Sequence, residues 1–284
     1  GARPRYGMGQ SCERALNSIL ITGGTGTIGA ALARDALLRG FGRVCIFSRD
    51  EYKQAMLRQK MTDERLRWFL GDVRDQERLR RALEGVECVI HAAALKRVEA
   101  GEFNPGEFVK TNVLGTLNLI EAAHDAGVKR VVGLSTDKAL NPQNAYGATK
   151  LLMEKLLLAA NNARGEHGPM FAVTRFGNVA GSRGSVIDMW RNGGDTLTHP
   201  DCTRYWLSER EAMEIVWSAL ELMPTEPLIP VLRAYKLGDL ARAMWLNLIV
   251  RGLRPGEQMH EALREGESSE TAPRMTVEEL RALL

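Results

Sequence analysis

The sequence of 284 residues contains no apolar run long enough to cross a membrane. A spanning helix needs about 18 or more consecutive apolar residues, and the most apolar late segment, residues 243–250, is far shorter. The first residues also lack the basic and then apolar pattern of a secretory signal. We therefore expect a cytoplasmic protein with no membrane span.

Cysteine is scarce, and the four cysteines are far apart: Cys12, Cys45, Cys88 and Cys202. None of them forms a Cys-x-x-Cys pair, so we predict no metal site. Cys45 and Cys88 lie inside apolar runs, where buried and unreactive thiols are usual. Free thiols fit a reducing, cytoplasmic compartment.

An excess of charge of either sign is also absent. The 38 Lys and Arg residues nearly balance the 35 Asp and Glu residues, which leaves a net charge of +3. Nucleic-acid binding requires a basic surface, so we expect no nucleic-acid partner. With 44% hydrophobic and 26% charged residues, the chain has the composition of a globular protein with a sizeable core.

Short apolar segments alternate with helical segments between residue 18 and about residue 180. The predicted strands are residues 18–22, 43–47, 66–70, 87–91, 129–134 and 170–175, and the predicted helices are residues 29–39, 74–83, 109–126 and 146–161. This alternation is typical of βαβ units. We predict an α/β fold with a doubly wound parallel (Rossmann) sheet, whose strands are covered by helices on both faces.

The rhythm changes after about residue 180, where Gly-rich loops separate shorter elements. Capping boxes start two of these elements, Ser208 with Glu211 and Thr276 with Glu279, and a helix is predicted at residues 237–248. The three predicted regions are a flexible leader (1–17), the Rossmann domain (18–180) and a smaller substrate-binding lobe (181–284) from which some segments return to the Rossmann core.

Residues 19–29 read ILITGGTGTIG, so a glycine-rich turn joins the first strand to the first helix. Such glycines allow a tight turn and a close approach of the backbone to a pyrophosphate, and the helix N-terminus favours anionic phosphate. A plain turn would have the same glycines, but the strand–turn–helix context indicates a dinucleotide site. The predicted cofactor contacts from this turn are Gly23, Thr25, Gly26, Thr27, Ile28 and Gly29.

The second strand is followed by Ser48, Arg49, Asp50 and Lys53. At this point an acid binds a free ribose 2′-hydroxyl, whereas an arginine binds a 2′-phosphate. Arg49 with Ser48 and Lys53 favours NADP and an NADP-binding Rossmann domain. Asp50 favours NAD, which stays possible, and Arg49 also fits an ordinary surface charge.

Further cofactor contacts are predicted at the ends of the next strands. Asp72 follows the third strand and is expected to meet the adenine, and Ala92, Ala93 and Ala94 follow the fourth, where small residues also suit simple packing. The remaining predicted cofactor contacts are Val73, Lys96, Asn112, Ser135, Tyr146 and Lys150.

Tyr146 and Lys150 are four residues apart on one predicted helix and therefore share a face. A free tyrosine has a pKa of about 10, and a neighbouring ammonium lowers it. We expect Tyr146 to accept a proton from a hydroxyl as hydride leaves the same carbon. The pattern also occurs by chance on exposed helices, but its position behind a dinucleotide fold favours function.

The fifth strand ends in Thr136, Asp137 and Lys138, at the sheet edge where ligands bind. A simple alcohol dehydrogenase has no need of an adjacent acid and amine. An elimination does, because a proton leaves one carbon while a hydroxyl is protonated on the next. A plain loop ion pair is the alternative.

These residues lie in stretches that resemble the extended short-chain dehydrogenase/reductase superfamily. More closely, the chain is similar to the inverting UDP-N-acetylglucosamine 4,6-dehydratases of bacterial polysaccharide and flagellin-glycan pathways. The matching stretches are TGGTGTIG (22–29), FSRDE (47–51), GDVRD (71–75), VIHAAALKRVE (89–99), NPGEFVKTNVLGT (104–116), LSTDKALNPQNAYGATK (134–150), TRFGNVAGSRGSV (174–186), TRYW (203–206) and GLRPGEQMHE (252–261).

The resemblance implies a reaction without net redox change. Tyr146 would deprotonate the sugar 4-hydroxyl while hydride passes from C4 to NADP, and Thr136 would bind the 4-oxygen. Lys138 would then remove the C5 proton and Asp137 would protonate the departing 6-hydroxyl. Hydride returns to C6 and C5 is inverted, which gives a UDP-4-keto-6-deoxy-hexosamine. Lys150 would support Tyr146.

The resemblance also implies substrate contacts from Lys96, Asn178, Arg183, Arg254 and Glu257. Arginines suit a pyrophosphate because their guanidinium binds it in a bidentate manner, whereas Glu257 also fits a plain loop charge. A homo-oligomer is implied as well.

Two other functions stay open. A nucleotide-sugar 4-epimerase, or another extended short-chain dehydrogenase, shares the Tyr–Lys pair but does not need the Asp–Lys pair. A regulatory protein that binds NADP without turnover would need neither pair.

Overall fold

The computed structural model describes residues 16–254 and 256–284. Six strands form its central sheet: β1 (Ser18–Thr22), β2 (Arg43–Ser48), β3 (Leu66–Leu70), β4 (Cys88–His91), β5 (Arg130–Thr136) and β6 (Met170–Phe176). Their order across the sheet is β3-β2-β1-β4-β5-β6, and every neighbouring pair is parallel. The strand order reverses between β1 and β4, so the predicted doubly wound parallel sheet is confirmed.

Helices connect these strands. They are α1 (Thr27–Leu38), α2 (Glu51–Lys60), α3 (Gln76–Leu83), α4 (Val98–Phe103), α5 (Pro105–Phe108), α6 (Gly115–Asp125) and α7 (Ala145–Ala163). A π-helical segment (Val109–Leu114) joins α5 to α6, and a 3-10 turn (Asp137–Ala139) follows β5. The four helices predicted between residues 18 and 180 are present with slightly shifted ends, and the one predicted at residues 109–126 begins as the π-helix.

Helix α2 is absent from the sequence prediction, and its composition explains why. Gln54 is its one buried residue, so the segment has no apolar period of 3.6 residues to mark it as a helix. Asp50 caps the helix by accepting a hydrogen bond from the Lys53 amide at 2.9 Å. This cap is the local signal for its start.

The C-terminal part of the chain adds shorter elements. They are α8 (Val186–Arg191), β7 (Thr196–Leu197), β8 (Thr203–Tyr205), α9 (Glu209–Leu222), β9 (Ala234–Lys236), α10 (Leu237–Ala243), β10 (Ile249–Val250) and α11 (Val277–Leu283). Strands β7 and β10 pair in parallel, and β8 and β9 pair antiparallel. Both predicted capping boxes are formed, at the starts of α9 and α11.

The helix predicted at residues 237–248 is wrong in its second half. Helix α10 ends at Ala243, and Trp245 has a φ of +59°. A residue in this left-handed region cannot continue a right-handed helix. The chain turns there and runs into β10.

The two faces of the sheet are packed by different helices. Ile19 and Ile21 belong to an apolar cluster with residues of α1 and α9, whereas Leu20 between them belongs to a cluster with residues of α3, α6 and α7. Alternate residues of a strand point to opposite faces, so β1 is buried on both sides, as its apolar sequence predicts. Burial of each such side chain stabilises the fold by roughly 1.5–3 kcal/mol.

The C-terminal region both forms its own core and contributes to the first one. Trp190, Leu240 and Leu280 pack in a separate cluster, while α9 packs on the central sheet and Leu228 bridges to Thr174 on β6. The division at residues 180 and 181 stays a prediction. Of the predicted leader, residues 1–15 lie outside the described residues.

Within residues 16–254 and 256–284, we find no helix with both the length and the apolar character that a bilayer crossing requires.

Candidate active site

A cavity of about 550 Å³ lies at the carboxyl ends of the parallel strands. This edge, at the point where the strand order reverses, is where open α/β sheets bind ligands. The predicted site residues that line it are Gly23, Thr25, Gly26, Thr27, Ile28, Gly29, Ser48, Arg49, Asp50, Lys53, Asp72, Val73, Ala92, Ala93, Ala94, Lys96, Ser135, Thr136, Lys138, Tyr146, Lys150, Asn178 and Arg183. Asn112, Asp137, Arg254 and Glu257 are not part of the lining.

The glycine-rich turn is shaped so that only backbone fits beside it. Gly23 has a φ of +66°, and a Cβ there would lie 2.8 Å from the Ala93 nitrogen. A Cβ on Gly29 would lie 2.4 Å from the Gly23 oxygen. The turn therefore brings the N-terminus of α1 to the cavity, where its unpaired amide groups favour an anionic phosphate.

Ser135 is a second feature of the cavity wall that suits a bound ligand. Its hydroxyl is buried and, among the described residues, has no hydrogen-bond partner, although it lies on the cavity wall. Buried hydroxyls normally find a partner. Together with the glycine turn, Ser135 fits a bound dinucleotide, and the residues present would hold such a cofactor.

The charges at the end of β2 are paired with each other. Arg49 lies 3.5 Å from Asp72, and the two side chains are 53% and 33% exposed. Asp50 binds both the amide and the ammonium of Lys53, and these hydrogen bonds lower the pKa of its carboxyl group. Asp50 is thus engaged by its own helix, while exposed pairs such as Arg49–Asp72 contribute about 1 kcal/mol or less and separate easily.

The floor beside the glycine turn is held by a buried histidine that sequence reasoning missed. His91 Nδ1 lies 2.8 Å from the Thr22 hydroxyl and its Nε2 lies 3.2 Å from the Thr116 hydroxyl. Thr22 in turn accepts the Ala93 amide. Burial, with a smaller effect of Lys150, lowers the pKa of His91 to about 3, so the ring is neutral and links β4 to β1 and α6.

Asn112 supports the site from behind instead of lining it. Its amide oxygen accepts the Leu95 amide, and its amide nitrogen donates to the Leu95 carbonyl and the Thr149 hydroxyl, all at 2.9–3.1 Å. These three bonds join the loop after β4 to α7. Asn112 is not part of the cavity lining, and its predicted cofactor contact stays a prediction.

Tyr146 stands in the first turn of α7, which Asn144 caps by accepting the Gly147 amide at 2.8 Å. Desolvation raises the pKa of the Tyr146 phenol, while Lys138 and a hydrogen bond with Thr136 act to lower it. The phenol therefore lies close to Thr136 and Lys138 at the end of β5, and Tyr146 lines the cavity.

The expectation that Lys150 lowers the pKa of Tyr146 stays a prediction. The Lys150 ammonium donates to the Leu134 carbonyl at 2.5 Å and contacts the Met153 sulfur at 2.9 Å. Its burial lowers its own pKa to about 8, against an opposing effect of Glu154. The cation that acts on the phenol is Lys138.

Asp137 and Lys138 form a compact cluster at the end of β5. The Thr136 hydroxyl donates to Asp137 Oδ1 at 2.8 Å, and Lys138 Nζ donates to the same oxygen at 3.1 Å. Asp137 is 3% exposed and lies behind Lys138. It packs against Gly177, because a Cβ on Gly177 would lie 2.9 Å from Asp137 Oδ2. Lys138, Thr136 and Tyr146 therefore face the cavity together, with Asp137 as their buried partner.

Glu261 is a member of this cluster that sequence reasoning missed. Its Oε1 lies 3.1 Å from Lys138 Nζ, and the side chain is 3% exposed. Burial opposes the charge of Lys138, but Asp137 and Glu261 outweigh it and raise the pKa of that ammonium. The one sequence signal for Glu261 is its place at the end of the matching stretch 252–261.

Arg254 and Glu257 lie outside the cavity and bind within the protein. Arg254 contacts Glu99 at 2.9 Å, and Glu257 accepts from the Arg254 amide and from Arg251. Their predicted substrate contacts stay predictions. Lys96, by contrast, donates to the carbonyl of Arg183 at 3.1 Å, so these two join across the mouth of the cavity.

A family model described as "Polysaccharide biosynthesis protein" matches residues 19–279. The chain belongs to this family. It is 44% identical over 263 residues to a UDP-N-acetylglucosamine 4,6-dehydratase (inverting) of Campylobacter jejuni subsp. jejuni serotype O:2. The aligned residues cover 89% of this chain and 78% of that protein. The resemblance seen in the sequence is thus confirmed.

The chain is also similar to a curated epimerase and to a solved structure. A UDP-glucose 4-epimerase of Rickettsia rickettsii is 42% identical over 213 residues, which cover 72% of this chain and 62% of that protein. The X-ray structure of Pen from Bacillus thuringiensis superimposes with a TM-score of 0.89 at 31% identity, covering 94% of this chain and 97% of that one.

Proposed function

We propose that the protein is an NADP-dependent dehydratase that removes water from UDP-N-acetylglucosamine and yields a UDP-4-keto-6-deoxy-hexosamine inverted at C5. The observation that carries this proposal is the arrangement of Tyr146, Lys138 and Asp137 at one end of β5. The identity to an inverting dehydratase supports the same reading.

The proposed chemistry assigns one task to each of these side chains. When bound, the nicotinamide cofactor supplies a temporary store for a hydride. Tyr146 accepts the proton of the sugar 4-hydroxyl, and Thr136 binds the 4-oxygen. Lys138 takes the C5 proton, which the 4-ketone has made acidic, and Asp137 delivers a proton to the departing 6-hydroxyl.

The resting charges require one proton transfer before these tasks are possible. Lys138 rests as an ammonium, because two carboxylates raise its pKa, whereas a base must be neutral. Its Nζ already donates to Asp137 Oδ1 at 3.1 Å. The elimination needs a neutral amine and a neutral acid, and both arise only when that proton moves to Asp137 against the raised pKa of Lys138.

The test is an incubation of the protein with UDP-N-acetylglucosamine and NADP⁺ in deuterated water. We expect a sugar nucleotide that has lost one water and carries one deuterium, at C5, with inverted configuration by NMR. The Rickettsia relative supports a second candidate, a 4-epimerase. An epimerase would give a product of unchanged mass, and a cofactor-binding regulator would give no product.

The preference for NADP is part of the proposal and rests on the end of β2. Asp50, the acid that would bind a free 2′-hydroxyl, is engaged by Lys53, while Arg49 faces the cavity in an exposed pair. A guanidinium binds a phosphate in a bidentate manner. We further propose a cytoplasmic location, since Cys45, Cys88 and Cys202 are buried free thiols, and a homo-oligomer.

A further inference from the structure

Glu261 is a buried carboxylate that no step of the proposed reaction uses. Its side chain is 3% exposed, and its Oε1 lies 3.1 Å from Lys138 Nζ. Arg204 lies on its other side, with Nε 3.6 Å from the same oxygen. A buried charge is costly unless it is paired, so this carboxylate is held in place by two cations.

The backbone of Glu261 is fixed as firmly as its side chain. Its amide donates to the Ser269 hydroxyl at 2.8 Å, and its carbonyl accepts the Ser269 amide at 2.7 Å. The Arg204 guanidinium donates to the carbonyls of Met259 and Gln258. The segment after β10 is therefore tied to β8, and the carboxylate arrives at the end of β5 without freedom to turn.

We infer that Glu261 is a positioning residue that acts through Lys138, and this inference rests on the proposed dehydratase function. A lysine ammonium has three N–H donors. Asp137 Oδ1 accepts one of them, and Glu261 Oε1 forms an ion pair with Nζ at 3.1 Å. These two contacts leave one direction of Nζ to the cavity that Lys138 lines. Once Nζ has given up a proton, its remaining N–H groups point to the two carboxyl groups and its lone pair faces the C5 hydrogen that is to be removed.

Without Glu261, Nζ keeps only one of its two carboxylate contacts, and this loss of orientation outweighs the lower pKa that Lys138 would then have. Among the described residues, this carboxylate forms ion pairs with Lys138 and Arg204, and the Tyr146 phenol is not one of its partners. The inference therefore separates the two halves of the reaction: Glu261 supports the removal of the C5 proton and of water, but not the first hydride transfer.

The test compares wild type with Glu261→Gln in single turnovers with UDP-N-acetylglucosamine and bound NADP⁺. We expect the rise in absorbance of reduced nicotinamide, and the KM, to stay within about threefold of wild type. We expect deuterium uptake at C5 and water loss to slow about 100-fold, the low end of what a well-placed acid or base contributes. Reduced cofactor should then accumulate.

Two further variants keep this test decisive. Glu261→Asp keeps a carboxylate at this position, so water loss should be faster in it than in Glu261→Gln. This variant also gives a result if Glu261→Gln folds poorly. Glu265→Gln removes a carboxylate from an exposed position in the same segment and should equal wild type.

Three outcomes would overturn the inference or its basis. Equal slowing of hydride transfer and water loss, with a fall in melting temperature, would show a merely structural role. Water loss at the wild-type rate in Glu261→Gln would exclude any role of Glu261. A wild-type protein that releases no water from the substrate would instead refute the proposed function itself.

Discussion

Two lysines on one cavity wall have opposite electrostatic surroundings. Lys138 lies between the carboxylates of Asp137 and Glu261, which raise its pKa, whereas Lys150 contacts a carbonyl and a thioether, and burial lowers its pKa to about 8. The same residue type thus carries a firmly bound proton at one position and a loosely bound proton at the other.

At Lys138, the replacement by Ala should divide the reaction in two. Substrate should still reduce bound NADP⁺, because Tyr146 remains, although more slowly than in wild type, because the phenol loses the cation that lowers its pKa. Water loss should stop because the base is gone. Single-turnover absorbance of the reduced cofactor, with mass spectrometry of the sugar, measures both steps. Complete dehydration by this variant would remove Lys138 from the mechanism.

At Lys150, the replacement by Met should raise the melting temperature of the cofactor-free protein at pH 7 while abolishing activity. A pKa lowered from 10.5 to about 8 corresponds to about 3 kcal/mol of cost for the buried charge. Between pH 8 and 10.5 the unfolded chain binds more protons than the native one, so wild type gains stability as pH rises. The difference in melting temperature between the two proteins should therefore shrink over this window, and a constant difference would contradict the assignment.

At the scale of the elements, the cavity depends on contacts between neighbouring strand ends. Strand β4 reaches β1 and α6 through His91 and its two threonine partners, and the π-helix reaches the loop after β4 through Asn112. The strand assignments follow from short apolar runs, and the glycine turn follows from its spacing. These cross-connections do not, because hydrogen bonds between distant segments leave no period in a sequence.

His91 should make the fold sensitive to acid. Its native pKa is about 3 and its unfolded value 6.5, so the unfolded chain alone takes up this proton as pH falls below 6.5. The cost at pH 4.5 is roughly 2–3 kcal/mol of unfolding free energy. Urea unfolding of wild type and of His91→Asn should be measured at pH 7 and at pH 4.5. The free energy of unfolding should fall more between these two pH values in wild type than in His91→Asn. An equal fall in the two proteins would refute the role given to His91.

At the scale of the whole molecule, the C-terminal segment completes a site that the Rossmann domain begins. Glu261 forms an ion pair with Lys138. Two residues further on, the Leu263 carbonyl accepts a hydrogen bond from Arg175. Arg175 also forms a buried ion pair with Glu154 of α7. The sequence predicts most of the cavity lining, because strand ends and turns are local features. Glu261 escaped prediction because its role depends on how a late segment folds back onto β5.

Cofactor choice can be measured on the intact protein. We expect NADP⁺ to raise the melting temperature more than NAD⁺ at equal concentration, since stabilisation follows ligand affinity. Arg49→Ala should reduce the shift with NADP⁺ and leave that with NAD⁺ unchanged, because it removes a partner of the 2′-phosphate alone. A larger shift with NAD⁺ in wild type would reverse the assignment.

Gly147 has a consequence for how catalysis proceeds. A Cβ there would lie 2.1 Å from the carbonyl oxygen of Lys138, so the start of α7 touches the 3-10 turn backbone to backbone. The Tyr146 phenol and the Lys138 amine are therefore attached to backbone segments that are fixed relative to each other, and neither backbone segment can move towards the next reacting carbon of the sugar. We therefore expect the hexose to rotate within the site, so that C4, C5 and C6 react in turn with protein groups that stay in place.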